Sequence, residues 1–273
     1  MRLLSSIPLL LLLAVLASPI LAPGQSSEAH AADYLEVDTD LPKPDGSGVD
    51  LAQASALIVE KTNAFRKSKN LEPLKSDPTL KEAAKTFAEY MARTHRYGHQ
   101  ADGQTPAQRA KAAGYDYCSI RENIAYQYDS RGFEVKPLAK SFVEEWIDSK
   151  GHRENMLAPF ATETGVALAR SEKTGTYFAV QLIGRPESEA FTFKVSNQSK
   201  QTVKYRVEVN QPLSDSRSFE VNPRIIRTHQ RCMPGKIHFP DLERSVLLED
   251  GLEFVIRPGQ DQSPTLQVSQ KQS

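Results

Sequence analysis

Apolar residues recur at helical spacing in four stretches of the first part of the chain. The spacing predicts a helix over 51–69, with Ala54, Leu57, Ile58 and Phe65 on one face and Asn70 as its stop. A second helix opens with Asp77 as N-cap and Pro78 at the first helical position, then places Leu80, Ala84, Phe87, Ala88 and Met91 on one stripe. Thr105 and Pro106 open a short third helix that runs through Arg109 and Ala112 to a left-handed stop at Gly114. Pro137 is read as opening a fourth, with Ala139, Phe142, Val143 and Trp146 as its buried face and Gly151 ending it. Past Ala158 the period shortens to two, and 164–169 and 176–183 read as strands joined by a hairpin at Lys173, Thr174 and Gly175.

Beyond Pro186 the pattern changes again. Short alternating runs at 190–195, 203–209, 218–221, 236–239 and 252–256 lie between turn residues, which predicts a small all-β module. The fold class is therefore α+β followed by a β-rich C-terminal part. The organisation reads as a linker over 32–48, an α+β domain over 49–186, the β module over 187–257 and a Gln/Ser-rich disordered tail over 258–273.

Composition narrows the function class. Among 273 residues, 34 Lys and Arg balance 34 Asp and Glu. A nucleic-acid binder needs a basic footprint to displace counterions from phosphates, so no nucleic-acid partner is expected. Residues 1–31 read as a signal peptide: Arg2, an apolar run over 7–16, and Ala29, His30 and Ala31 as the cleavage pattern. The competing reading is a membrane anchor, since apolar residues continue past Pro19 to Ala22; a span needs about 20 unbroken apolar residues, so no stable span is expected after processing. The expected location is secreted, or the periplasm or cell envelope. In such a compartment Cys118 and Cys232, the two cysteines, either pair across the two domains or stand as separate buried thiols.

Four stretches in order carry a resemblance: Asn63 to Arg66 on the first helix, GHQADGQTPAQRAKAAGY from Gly98, ENIA from Glu122, and WIDSKGHRENML from Trp146. With GVALA from Gly165 and YFAVQLIG from Tyr177, this set resembles the bacterial branch of the CAP superfamily (cysteine-rich secretory protein, antigen 5, pathogenesis-related 1; the SCP-like extracellular domain). The resemblance implies an α-β-α sandwich whose cleft collects two His and acidic residues. Carried over position by position, it implies His99, Glu122 and His152 in that cleft. Ser149 stands where the animal branch has an acidic residue three after the Trp, which puts in doubt any activity that needs two carboxylates.

The residue types leave three chemistries open. Two imidazoles and one carboxylate are a partial ligand set for Zn²⁺ or another divalent cation, with His99 and His152 as the metal ligands. Alternatively Glu122 orients one imidazole for proton transfer, or the histidines are hydrogen-bonding latches. Glu145, one helical turn before Ser149, either leans into the same cleft or is a solvated helix residue. Ser149 beside His152 lacks an identifiable third group for a nucleophile. Arg109 reads as structural, paired with an acidic neighbour, and His229, Cys232 and His238 lack a fourth ligand for structural zinc.

Three functions follow. The preferred one is a secreted binding or effector module for a small ligand (lipid, peptide or glycan), an extracellular protein or a cell-wall component. The others are a metal-dependent hydrolase using the same cleft, and a structural envelope protein. The missing carboxylate at Ser149 and the lack of a nucleophile motif set the order.

Overall fold

A computed structural model describes residues 34–44, 48–209 and 216–270. The expected signal peptide at 1–31 lies outside the described residues, among which no helix is long and apolar enough to cross a membrane. The first part contains β1 (Leu35–Glu36), α1 (Leu51–Ser68), β2 (Lys75–Ser76), α2 (Pro78–Thr94), β3 (Arg96–Tyr97) and α3 (Pro106–Ala112). It continues with β4 (Tyr117–Gln127), α4 (Val135–Asp148), α5 (Lys150–Met156), β5 (Glu163–Arg170) and β6 (Tyr177–Pro186). Helix starts are set by local chemistry. Asp50 and Asp77 accept the backbone N–H of Gln53 and Leu80, and Thr105 with Gln108 forms a reciprocal capping box.

The central sheet runs β2-β5-β6-β4, with β6 antiparallel to both β5 and β4. Alternation along β6 feeds two cores. Phe178, Val180 and Leu182 pack with Leu80, Phe87 and Met91 of α2, whereas Tyr177, Ala179 and Ile183 pack with Ile58 of α1 and Phe142 and Trp146 of α4. Helices therefore cover both faces of the sheet, an α-β-α sandwich. On β5, a Cβ at Gly165 would fall 2.1 Å from the backbone nitrogen of Lys81, so α2 seats directly on the strand there.

The C-terminal part holds β7 (Phe191–Asn197), β8 (Val203–Val209), β9 (Ser216–Val221), β10 (Ile226–Arg231), β11 (Gly235–Phe239), β12 (Arg244–Leu247), β13 (Leu252–Pro258) and β14 (Pro264–Gln270). They form two four-stranded sheets, β10-β7-β13-β14 and β12-β11-β8-β9, around Phe193, Val195, Tyr205, Ile237, Phe239 and Phe254. Cys118 and Cys232 are bonded, with Cα atoms 5.2 Å apart and a separation of 114 positions in sequence. The β4–β6 register slips between Tyr117 and Ser119, which takes Cys118 out of the ladder, and Cys232 directly follows β10. The chain-entropy value of closing so long a loop is about 4 to 5 kcal/mol.

Four expectations need correction. The stretch read as a disordered tail contains β14, which pairs with β13 along its whole length; as an edge strand it buries little, and its short Leu266 and Val268 alternation is set among Gln and Ser residues. The stretch read as a linker contains β1, paired with β3, and Val37 is buried in the core. The fourth helix begins at Val135, because Pro137 falls within the first turn, where its missing N–H has no intrahelical acceptor to lose. Gly151 does not end that helix. Ser149 breaks it with extended backbone, and Gly151 lies inside α5.

Asn63 and Arg66 act as a latch. Asn63 bonds both backbone groups of Leu74, at 2.9 and 2.8 Å. Arg66 is fully buried, and its guanidinium donates to the carbonyls of Glu72, Met156, Ala158 and Ala161, tying α1 to the segment after α5. Burial lowers its pKa, yet an arginine stays cationic under such a shift. Arg66→Met keeps much of the bulk and orphans these carbonyls. Thermal or urea unfolding of the full chain should show a loss of about 3 to 5 kcal/mol, and an unchanged midpoint would contradict the latch.

His229 supplies a second test. Its ring stacks 4.7 Å from Phe193 and lies edge-on to Phe219, and its Nε2 meets the Tyr205 hydroxyl at 2.7 Å. Burial first, then the charges of Arg231 and Arg227, push its pKa down to about 4 from the ordinary 6.5. Between those values the unfolded chain binds the extra proton, so the module's stability is present above pH 6.5 and falls as pH drops toward 4. Hydrogen exchange of β7, β8 and β13 amides in the full chain should show this loss in the wild type and not in His229→Phe; equal pH dependence would contradict it.

Candidate functional site

The candidate site lies at the edge of the central sheet, where β4 pairs with β6 on one side only. An edge strand leaves carbonyls without ladder partners, and here side chains from both faces close them. The Tyr97 hydroxyl and the Trp146 indole N–H both donate to the Ile124 carbonyl, at 3.0 and 3.2 Å. Asn155 Nδ2 donates to the Glu122 carbonyl at 3.0 Å. Asn123, fully buried, donates to the His152 carbonyl and to Gln181. The strand that carries the ENIA stretch is thereby fixed to β3, α4 and α5 at once.

Glu122 is the centre of the site. Its side chain is 1% exposed, its Oε1 accepts His99 Nδ1 at 2.8 Å and its Oε2 accepts Arg109 Nη2 at 2.7 Å. Arg109, 4% exposed, also donates to Asp102 Oδ1 at 2.8 Å and to the carbonyls of Gln104 and His99. Its guanidinium lies 3.5 Å from the centre of the Phe87 ring, which roots the ion pair in the core beneath α2. The pair is what makes a buried carboxylate tolerable, since an isolated ion there would carry a desolvation penalty of several kcal/mol.

The two histidines differ. His99 is 52% exposed, and donation from Nδ1 to the Glu122 carboxylate fixes its tautomer and leaves Nε2 without a protein partner among the described residues. His152, on α5, has a buried Nδ1 with no hydrogen-bond partner among them. Burial first, then the charge of His99, lowers its pKa, so the second imidazole favours its neutral form. Ser149 makes no side-chain cap to α5. Glu145 does face this region. It accepts Gln127 Nε2 at 2.6 Å, and the Tyr97 phenol has its pKa raised by burial first and then by the charge of Glu145.

Among the described residues no group of three or more His, Cys, Asp or Glu side chains is arranged to hold a metal ion. Glu122 has both oxygens engaged, so it is not a ligand in this arrangement but the group that orients His99. What remains for a divalent cation is His99 Nε2 and the His152 ring, whose Nδ1 is buried: two imidazoles where three or four protein ligands are usual. His238 bonds Ser245, His229 bonds Tyr205 and Cys232 is in the disulfide, so these three share no site.

Several residues of the site carried no signal of their own. Tyr97, Asn123 and Asn155 act through backbone carbonyls of β4 and α5, contacts that no spacing rule encodes. Arg109 pairs with two acidic residues, 7 and 13 positions away.

Comparison with known proteins places this geometry. The family model described as CAP, cysteine-rich secretory protein family, matches residues 59–183. "Uncharacterized protein YkwD" of Bacillus subtilis (strain 168) is 32% identical over 129 residues, which are 47% of this chain and 46% of that protein. The match thus spans less than half of that relative's length. Among solved structures, an outer surface protein from Borrelia burgdorferi is 22% identical, with 52% of this chain and 99% of that one covered and a TM-score of 0.45. An extracellular protein containing a SCP domain from Bacillus anthracis is 25% identical, with 50% and 41% covered and a TM-score of 0.41. Residues 59–183 therefore match the CAP, cysteine-rich secretory protein family, and the chain is similar over about half its length to a bacterial protein.

Proposed function

We propose that this chain is an exported binding protein whose cleft over the β4 edge takes a small ligand or a segment of an extracellular polymer. One observation carries the reading. Among the described residues the sole carboxylate bonded to either cleft imidazole, Glu122, is buried and saturated by His99 and Arg109, so it is poorly placed to activate water. Hydrolysis would need a second base, and the position at Ser149 supplies a hydroxyl with no orienting partner among those residues. What the residues can do is recognise. With its proton on Nδ1, His99 offers Nε2 as a hydrogen-bond acceptor, and His152 adds a second imidazole, on a frame held by the Arg109 ion pair.

A divalent cation fits this frame only in part. Bound, it would supply a positive charge to an anionic ligand group; His99 and His152 would hold it, and Glu122 would orient His99 from behind. With two protein ligands its affinity would fall far below that of a structural zinc site. Export matches the N-terminal apolar run and the disulfide, which joins the β module covalently to the cleft-bearing domain and offers a second surface to the same partner.

The test is a titration of the chain without residues 1–31 with peptidoglycan fragments, short peptides and fatty acids, read by His99 and His152 ring resonances and by product analysis. Saturable shifts without turnover are expected, with weak zinc binding that is lost in His99→Ala and in His152→Ala. Turnover that disappears in His99→Ala would contradict the binding reading.

A further inference from the structure

Glu145 stands apart from the Glu122 unit and carries an unbalanced charge. Its neighbour Glu144 is paired with Lys140 at 3.5 Å, as expected for an i,i+4 pair on α4. Glu145 has no such relief: its hydrogen-bond donor is the neutral Gln127 Nε2, and no Lys, Arg or His among the described residues lies within ion-pair distance of it. Its side chain reaches solvent, yet its surroundings desolvate the carboxyl enough to raise its pKa in spite of the Gln127 bond. Beside it lies an aromatic pair. Tyr97 and Tyr126 meet edge to face at 5.0 Å, Tyr126 is 39% exposed, and the partly buried Tyr97 phenol lies in the field of Glu145, Tyr126 and Glu122.

We propose that Glu145, with Gln127 bonded to it and the Tyr97–Tyr126 pair alongside, receives a primary ammonium group of the ligand that occupies the cleft. The inference rests on the binding reading and names the chemistry of its ligand: a lysine side chain or another primary amine carried by a peptide or polymer. Three features select an ammonium. The carboxylate lacks a cation, and aromatic faces stabilise one further. Gln127 occupies Oε2 and leaves Oε1 as the open acceptor, which suits a point charge better than the two-pronged guanidinium of arginine. A bound ammonium also favours the ionised form of Glu145, so affinity should weaken as pH falls through the raised pKa of this carboxyl.

The probe is Nα-acetyl-lysine N-methylamide, with its Nε-acetylated counterpart as the neutral control. Each is titrated into the full mature chain and followed by the Gln127 side-chain amide resonance, in the wild type and in Glu145→Gln, a change of charge with little change of shape. The expected result is saturable binding of the amine, at least tenfold weaker in Glu145→Gln, with no response to the acetylated probe. Equal affinity of the two probes, equal affinity of the two proteins, or no binding of the amine would overturn the inference. The panel of cleft ligands then separates the two claims. Ligands that shift His99 and His152 equally in wild type and Glu145→Gln would leave the binding reading standing and remove the ammonium site alone, whereas silence from every ligand would remove both.

Discussion

The ion pair between Arg109 and Glu122 holds together parts of the chain that local structure alone would leave independent. Arg109 comes from α3, Glu122 from β4, Asp102 and Gln104 from the loop before α3, and His99 from the turn after β3. Two buried ions cost more in lost hydration than their attraction returns unless each oxygen and N–H finds a partner. Here both Glu122 oxygens are bonded, and Arg109 makes four bonds and stacks on Phe87, its buried Nε alone lacking a partner among the described residues. Removing one member would leave a charge in the core with no counter-ion of equal geometry. The cleft imidazole His99 takes its orientation from that arrangement, so the chemistry of the site is set one layer below its surface.

The open edge of β4 explains why a cleft exists at this place. An unpaired edge is a hazard for aggregation, and covering it with side chains from β3, α4 and α5 both protects the strand and crowds polar groups around it. Tyr97, Trp146 and Asn155 therefore serve the fold first. Their placement leaves His152 within the field of His99, and Tyr97 within that of Glu145 and Glu122. The bond between Cys118 and Cys232 adds the β module to this body at the other end of the same strand.

Much of this was legible in the residues. Caps at Asp77 and Thr105, the apolar stripe of α2 and the alternation of 176–183 each follow from local rules, and the ordered motifs led to His99, Glu122 and His152. The edge strands were not legible. The half-buried positions of β10 are His229 and Arg231, so it shows no apolar alternation, and the alternation of β14 is confined to Leu266 and Val268 within a Gln- and Ser-rich stretch. Which role Glu122 takes was not legible in sequence: His99 and Arg109 engage both of its oxygens, contacts that residue types do not encode. Residue types named the members of the site, whereas the hydrogen bonds between them decide what each is free to do.

The dependence of the cleft on the buried pair is open to a double-mutant cycle in equilibrium unfolding, with Arg109→Met, Glu122→Gln and the double variant, each checked by the chemical shifts of His99. Each single change should cost about 3 to 5 kcal/mol and displace the His99 signals, while the double variant loses less than the sum by about 2 kcal/mol or more, because neither charge is then stranded. Additive losses, or a His99 environment that survives Glu122→Gln unchanged, would contradict the claim that this pair sets the site.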